Sequence, residues 1–130
     1  MTPTASRVIY PELPHPLTSG DLQQLFGPSF DERRWVATVA RTPASQVALL
    51  VHLKIFQTIG RFMRSADVPP VAIEYVARRL GMAPPAPLIF ADRTLYRHRP
   101  TILKRLEVVS WGAEARALAE ATMIKAARAR

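Results

Sequence analysis

One hundred and thirty residues, 48% hydrophobic and 22% charged, suit one packed domain and exclude wholesale disorder. Eighteen Lys and Arg against ten Asp and Glu leave a net charge of +8, which points to an anionic partner. The absence of cysteine excludes a disulfide framework, a thiolate metal site and a cysteine nucleophile.

The first seventeen residues, with Pro3, Pro11, Pro14 and Pro16, read as an extended arm. Residues 18–130 then read as a helical domain. Thr18-x-x-Asp21 forms a capping box with Asp in place of Glu and opens a short helix, on which Leu22, Leu25 and Phe26 share a face before Gly27-Pro28 ends it. Ser29-x-x-Glu32 caps a second helix, which runs through Trp35, Val36 and Val39 to about Arg41. The acids Asp31 and Glu32 then sit in the first turn, where the helix dipole favours negative charge, and their expected role is structural.

Thr42-Pro43 marks the third start, an N-cap followed by proline at the first helical position. This helix, roughly 43–60, is apolar except for a narrow stripe holding Gln46, Lys54, Gln57 and Arg61, and it should be the central core helix. His52 lies well away from that stripe and reads as a satisfied core histidine, since no second histidine or carboxylate sits at helical spacing.

Asp67-Val68-Pro69-Pro70 starts a fourth helix that buries Ile73, Val76, Ala77 and Leu80, turns Glu74, Tyr75, Arg78 and Arg79 outward, and ends at Gly81. A proline-rich turn over 81–86 leads to a fifth helical region, about 87–107, with Leu88, Leu95 and Ile102 spaced by sevens. Pro100 must kink or restart it near Arg99, because the ring cannot donate to the carbonyl of Tyr96. A last, alanine-rich helix is expected over 113–128. It stops without a terminating signal, as though the chain continued in a longer parent protein. No segment alternates with period two, so the expected fold is all-α, a compact bundle of five to six helices.

The first ten residues do not form a secretory signal, and the longest apolar run, Val47 to Val51, is far short of a membrane span. The expected location is cytoplasmic, with no membrane partner. Five glycines build neither a phosphate loop nor a nucleophile elbow, the acids are dispersed, and His15, His52 and His98 lack metal-ligand spacing. No enzyme, cofactor, metal or small-molecule substrate is expected.

The charge is concentrated instead. Residues 61–105 hold nine basic side chains against three acidic ones, six of the eight surplus charges. At their centre stands Arg93-Thr94-Leu95-Tyr96-Arg97-His98-Arg99, continued by Lys104-Arg105. On a helix Arg93, Arg97 and Lys104 line one side and Leu88, Leu95 and Ile102 another, with Thr94, Tyr96 and His98 interleaved. Arginine and lysine neutralise phosphates, and arginine also binds guanine bidentately, so double-stranded DNA is an expected partner, the alternative being a helix that packs its apolar side and simply solvates its arginines. Arg93, Arg97, Arg99, Lys104 and Arg105 are the expected main contacts, and Arg78 and Arg79 backbone clamps. With helix 70–80 the region forms a loosely helix-turn-helix-like unit.

Three segments in this order, LLVHLKIFQTIGRF (49–62), VPPVAIEYVARRLGM (68–82) and RTLYRHRPTILKRL (93–106), resemble the N-terminal region of Tn-three family replicative transposases of bacteria. The opening LPHPLTSGDLQQLFGPSFDE (13–32) is similar to that family's leader, and the resemblance covers about 13–125. The sequence departs from the family pattern at Pro100 and at Glu107-Val108-Val109. The resemblance implies a DNA-binding module that recognises transposon terminal inverted repeats and associates with the bacterial nucleoid. It also implies that catalysis resides in an RNase-H-like domain absent from this chain. The alternative is a helical interaction module docking on the remainder of a transposase or on another protomer, with Leu118, Met123 and Ile124 of helix 113–128 as its surface.

Overall fold

A computed structural model of the chain describes residues 12–86 and 88–107. Every regular element among them is helical, so the all-α expectation holds. The expected helix 113–128, with its docking residues, and most of the N-terminal arm lie outside the described residues. The chain divides into two units, Met1–Arg99 and Pro100–Arg130.

In the first unit four α-helices follow one another: α1 (Ser19–Phe26), α2 (Phe30–Val39), α3 (Pro43–Ile59) and α4 (Pro70–Arg79), with a 3-10 turn, Ser65–Asp67, before the last. Their starts obey local chemistry. The Thr18 hydroxyl accepts from the Asp21 N–H while Asp21 accepts from the Thr18 N–H, closing the capping box of α1. Ser29 and Glu32 repeat the arrangement on α2. Thr42 caps α3 through the Ser45 N–H, and Pro43 takes the first turn, where no amide partner is needed.

The ends are equally local. Gly60 closes α3 with φ 73°, a left-handed conformation that costs glycine little. After α4 the Met82 N–H reaches back to the Ala77 carbonyl and the Gly81 N–H to Arg78, a Schellman cap with Gly81 at φ 72°.

Helix α3 is the core helix, as its composition indicates. It packs against α1, α2 and α4, and α1 also meets α4. Leu49, Leu50, Val51, Leu53 and Ile55 are fully buried, opposed by Phe26, Val36, Ala72, Ile73 and Val76. Leu13 of the arm is buried with them.

Three of the four polar residues of the stripe, Gln46, Lys54 and Gln57, are half-buried against α2, while Arg61 stays exposed. The Gln46 amide donates to the Ala40 carbonyl at the end of α2, at 3.0 Å. Lys54 Nζ lies 2.6 Å from the carboxylate of Glu32, and Gln57 Nε2 donates to that carboxylate's other oxygen at 3.0 Å. Glu32 is only 7% exposed, so its structural role extends from the capping box to a buried interhelical ion pair. Burial pushes its carboxyl pKa up, but the Lys54 hydrogen bond, the Ser29 N–H, the Gln57 amide and the Lys54 charge together outweigh that, and the net shift is down.

A fifth helical stretch, α5, covers residues 92–107. It starts later than the expected residue 87. Phe90 turns inward instead and sets its ring edge-on against His52, 5.4 Å between centres, and helical pairing begins only beyond Ala91. Leu88 and Ile89 therefore lie outside the helix, and Ile89 is exposed. Residues on both sides of Pro100 are helical. In the second unit the described residues, 100–107, are helical and Ile102 is buried.

Candidate functional site

Two stretches of the first unit carry the cations singled out in the sequence. At the end of α4, Arg78 and Arg79 are exposed in the last turn, where positive charge meets the negative end of the helix dipole. Arg78 pairs with Glu74 one turn back, which neutralises part of its field. Arg79 stands exposed beside it.

On α5, Leu95 turns inward while Arg93, Tyr96, Arg97 and Arg99 are exposed and Thr94 is half-buried. Arg93 and Arg97 share one side of the helix at a spacing of four. His98 departs from the expectation for this segment. It is 6% exposed, on the inward side with Leu95, and cannot serve as a surface contact. In the second unit Lys104 is exposed and Arg105 half-buried.

His98 meets His52, which is 1% exposed on α3, with 6.0 Å between ring centres. Forty-six residues separate the two, which is why helical spacing around His52 revealed no second histidine. Burial, and then the charge of the other imidazole, push the pKa of His52 down to about 4. Burial, and then the Arg97 guanidinium, do the same for His98. Both rings are therefore neutral near pH 7. His52 is a core histidine, as expected, but not a satisfied one: its Nε2 and the Nδ1 of His98 have no hydrogen-bond partner within the described residues. Those residues contain no group of three or more histidine, aspartate or glutamate side chains suited to hold a metal.

A second arrangement escaped the sequence reading. Phe56 of α3 meets Phe62 at a tilt of 39°, 4.7 Å between centres, just beyond the glycine that ends the helix. The Arg99 guanidinium carbon lies 5.5 Å from the Phe62 ring centre and 5.7 Å from that of Tyr96, one turn before it on α5. Arg99 is thus held between two aromatic rings, each contact contributing about 0.5–1 kcal/mol at an exposed site. The spacing of Tyr96 and Arg99 by three was the one visible signal. The approach of Phe62 had none.

The model of a protein family described as a domain of unknown function (DUF4158) matches residues 3–130. The chain belongs to that family. The match spans both exposed arginine clusters and the buried histidine pair of this DUF4158 chain. Comparison with curated proteins and comparison with solved structures each returned no match. No helix among the described residues is long and apolar enough to cross a membrane.

Proposed function

We propose that this DUF4158 chain is a DNA-binding module of a Tn-three family replicative transposase, one that recognises the terminal inverted repeats of its transposon. The observation that carries the reading is the two-sided character of α5 in the first unit. Leu95 and His98 are buried while Arg93 and Arg97 are exposed on the other side. Such a helix is anchored by its apolar side and presents guanidinium groups to phosphates and base edges. The order and spacing of the segments at 49–62, 68–82 and 93–106, similar to those of the transposase family, support the same reading. On this reading the chain binds DNA without cutting it, and the protein partner is the remainder of the transposase or another protomer.

The test is equilibrium binding to a duplex of the terminal repeat of the encoding element, against a scrambled duplex, at two salt concentrations. A preference of tenfold or more, about 1.4 kcal/mol, supports repeat recognition. Equal and steeply salt-dependent binding assigns the chain phosphate contacts alone. Absence of binding to either duplex overturns the reading in favour of an interaction module. Reversing Arg93 and Arg97 to Glu should abolish binding and leave thermal unfolding unchanged, because both side chains are exposed.

A further inference from the structure

Within the basic residues of α5, the environment of Arg99 differs from that of Arg93 and Arg97. Phe56, Phe62, Arg99 and Tyr96 form one chain of ring and cation contacts, begun on the core helix α3 and ended by a tyrosine 63% exposed. At about 100° per residue, Arg99 also lies roughly 120° round the helix from Arg93, near the seam where Leu95 and His98 turn inward. Arg93 and Arg97 occupy the opposite, outermost side.

We infer that Arg99 is a preorganised phosphate anchor, gripping the DNA backbone at the flank of α5 while Arg93 and Arg97 reach the base edges. This rests on the DNA-binding reading and divides the labour within it. A guanidinium flanked by rings keeps its N–H groups free along its edge, the geometry that suits phosphate oxygens. A side chain drawn sideways onto Phe62 cannot also extend to the floor of a major groove about 8.5 Å deep, whereas phosphates line the groove edges beside a docked helix. Fixing the arginine before binding reduces the side-chain entropy lost on contact, which is the gain the two ring contacts supply.

The experiment selects a tight-binding duplex from a random-sequence pool on the full chain, then titrates that duplex and a scrambled version between 50 and 200 mM salt. Arg99→Gln is expected to weaken both about tenfold, to leave their ratio unchanged, and to reduce the slope of log K against log salt by about 0.9. Phe62→Leu retains the charge, so the slope should persist while both affinities fall severalfold. Tyr96→Leu, at an exposed position, does the same should the Phe62 variant fail to fold. Arg93→Gln should instead erode the preference for the selected duplex.

The inference is overturned if Arg99→Gln erodes the preference and spares scrambled DNA, which would make Arg99 a base reader, or if it changes neither affinity. If selection enriches no sequence, the slope change on the unselected pool decides the matter. Binding to the selected duplex but not to the terminal repeat removes the transposon reading and leaves the anchor standing. A wild-type chain that binds no duplex removes both.

Discussion

Lowering the pH from 6.5 to 4 is expected to cost the fold on the order of 5 kcal/mol, through two side chains. His52 and His98 each have a folded-state pKa of about 4 against an ordinary 6.5. Between those values the unfolded chain binds protons that the folded chain refuses, so stability is complete above 6.5 and falls as the pH drops through the window. Each pKa unit is worth about 1.4 kcal/mol, and a loss of this size rivals the whole stability of many small domains. Urea unfolding at half-unit intervals from pH 7 to 4 measures it. Glu32 adds to the loss only at the acid end: its carboxyl is held below the ordinary 4.5, so the stability that it contributes starts to fall near pH 4.5, and the histidine effect is read between 6.5 and 5. Replacing His52 with Phe and His98 with Leu should flatten the curve between pH 6.5 and 4.5. A wild-type curve already flat there would show that the imidazoles are hydrated or partnered in solution.

Lys54→Met is expected to destabilise the fold by about 3–5 kcal/mol, because it leaves the Glu32 carboxylate buried without its counter-charge. The double variant Glu32→Gln, Lys54→Met should recover a large part of that loss. The amide that replaces the carboxylate is neutral; its carbonyl oxygen keeps the Ser29 N–H, and its NH2 donates to the Gln57 side-chain oxygen once that amide flips. Thermal unfolding of the two variants at pH 7 distinguishes a charge left unpaired from the loss of an attraction. A loss under 1 kcal/mol for Lys54→Met would mean that water reaches Glu32, as at an exposed ion pair.

The helix boundaries and the central helix were legible in the sequence because their causes lie within a few residues. Thr18 with Asp21, Ser29 with Glu32, Thr42 with Pro43, and Gly81 each act over one turn. The apolar excess of residues 43–60 left α3 no place but the core. Pairings between elements were not legible, since a period of 3.6 residues says which face is buried and not what lies opposite. Glu32 with Lys54, His52 with His98 and Phe62 with Arg99 are all of that kind. The start of α5 was misplaced for a related reason. The seven-residue spacing of Leu88, Leu95 and Ile102 imitates a helix, while Phe90 is drawn inward by His52, a partner 38 residues earlier. Of the site, the exposure of Arg93 and Arg97 followed from helical period. The burial of His98 and the seat of Arg99 depended on the neighbouring elements.

Three polar residues of α3 that would ordinarily meet water are engaged by α2 instead. Gln46 holds the last turn of α2, and Lys54 and Gln57 hold the first through Glu32. Helix ends normally fray ahead of the rest of a protein, but this ten-residue helix is tied at both ends to the most buried segment of the chain. Releasing the first turn of α2 exposes a lysine on the core helix. The backbone amides of α2 should therefore exchange with solvent hydrogen at the rate of those in α3, in one cooperative opening.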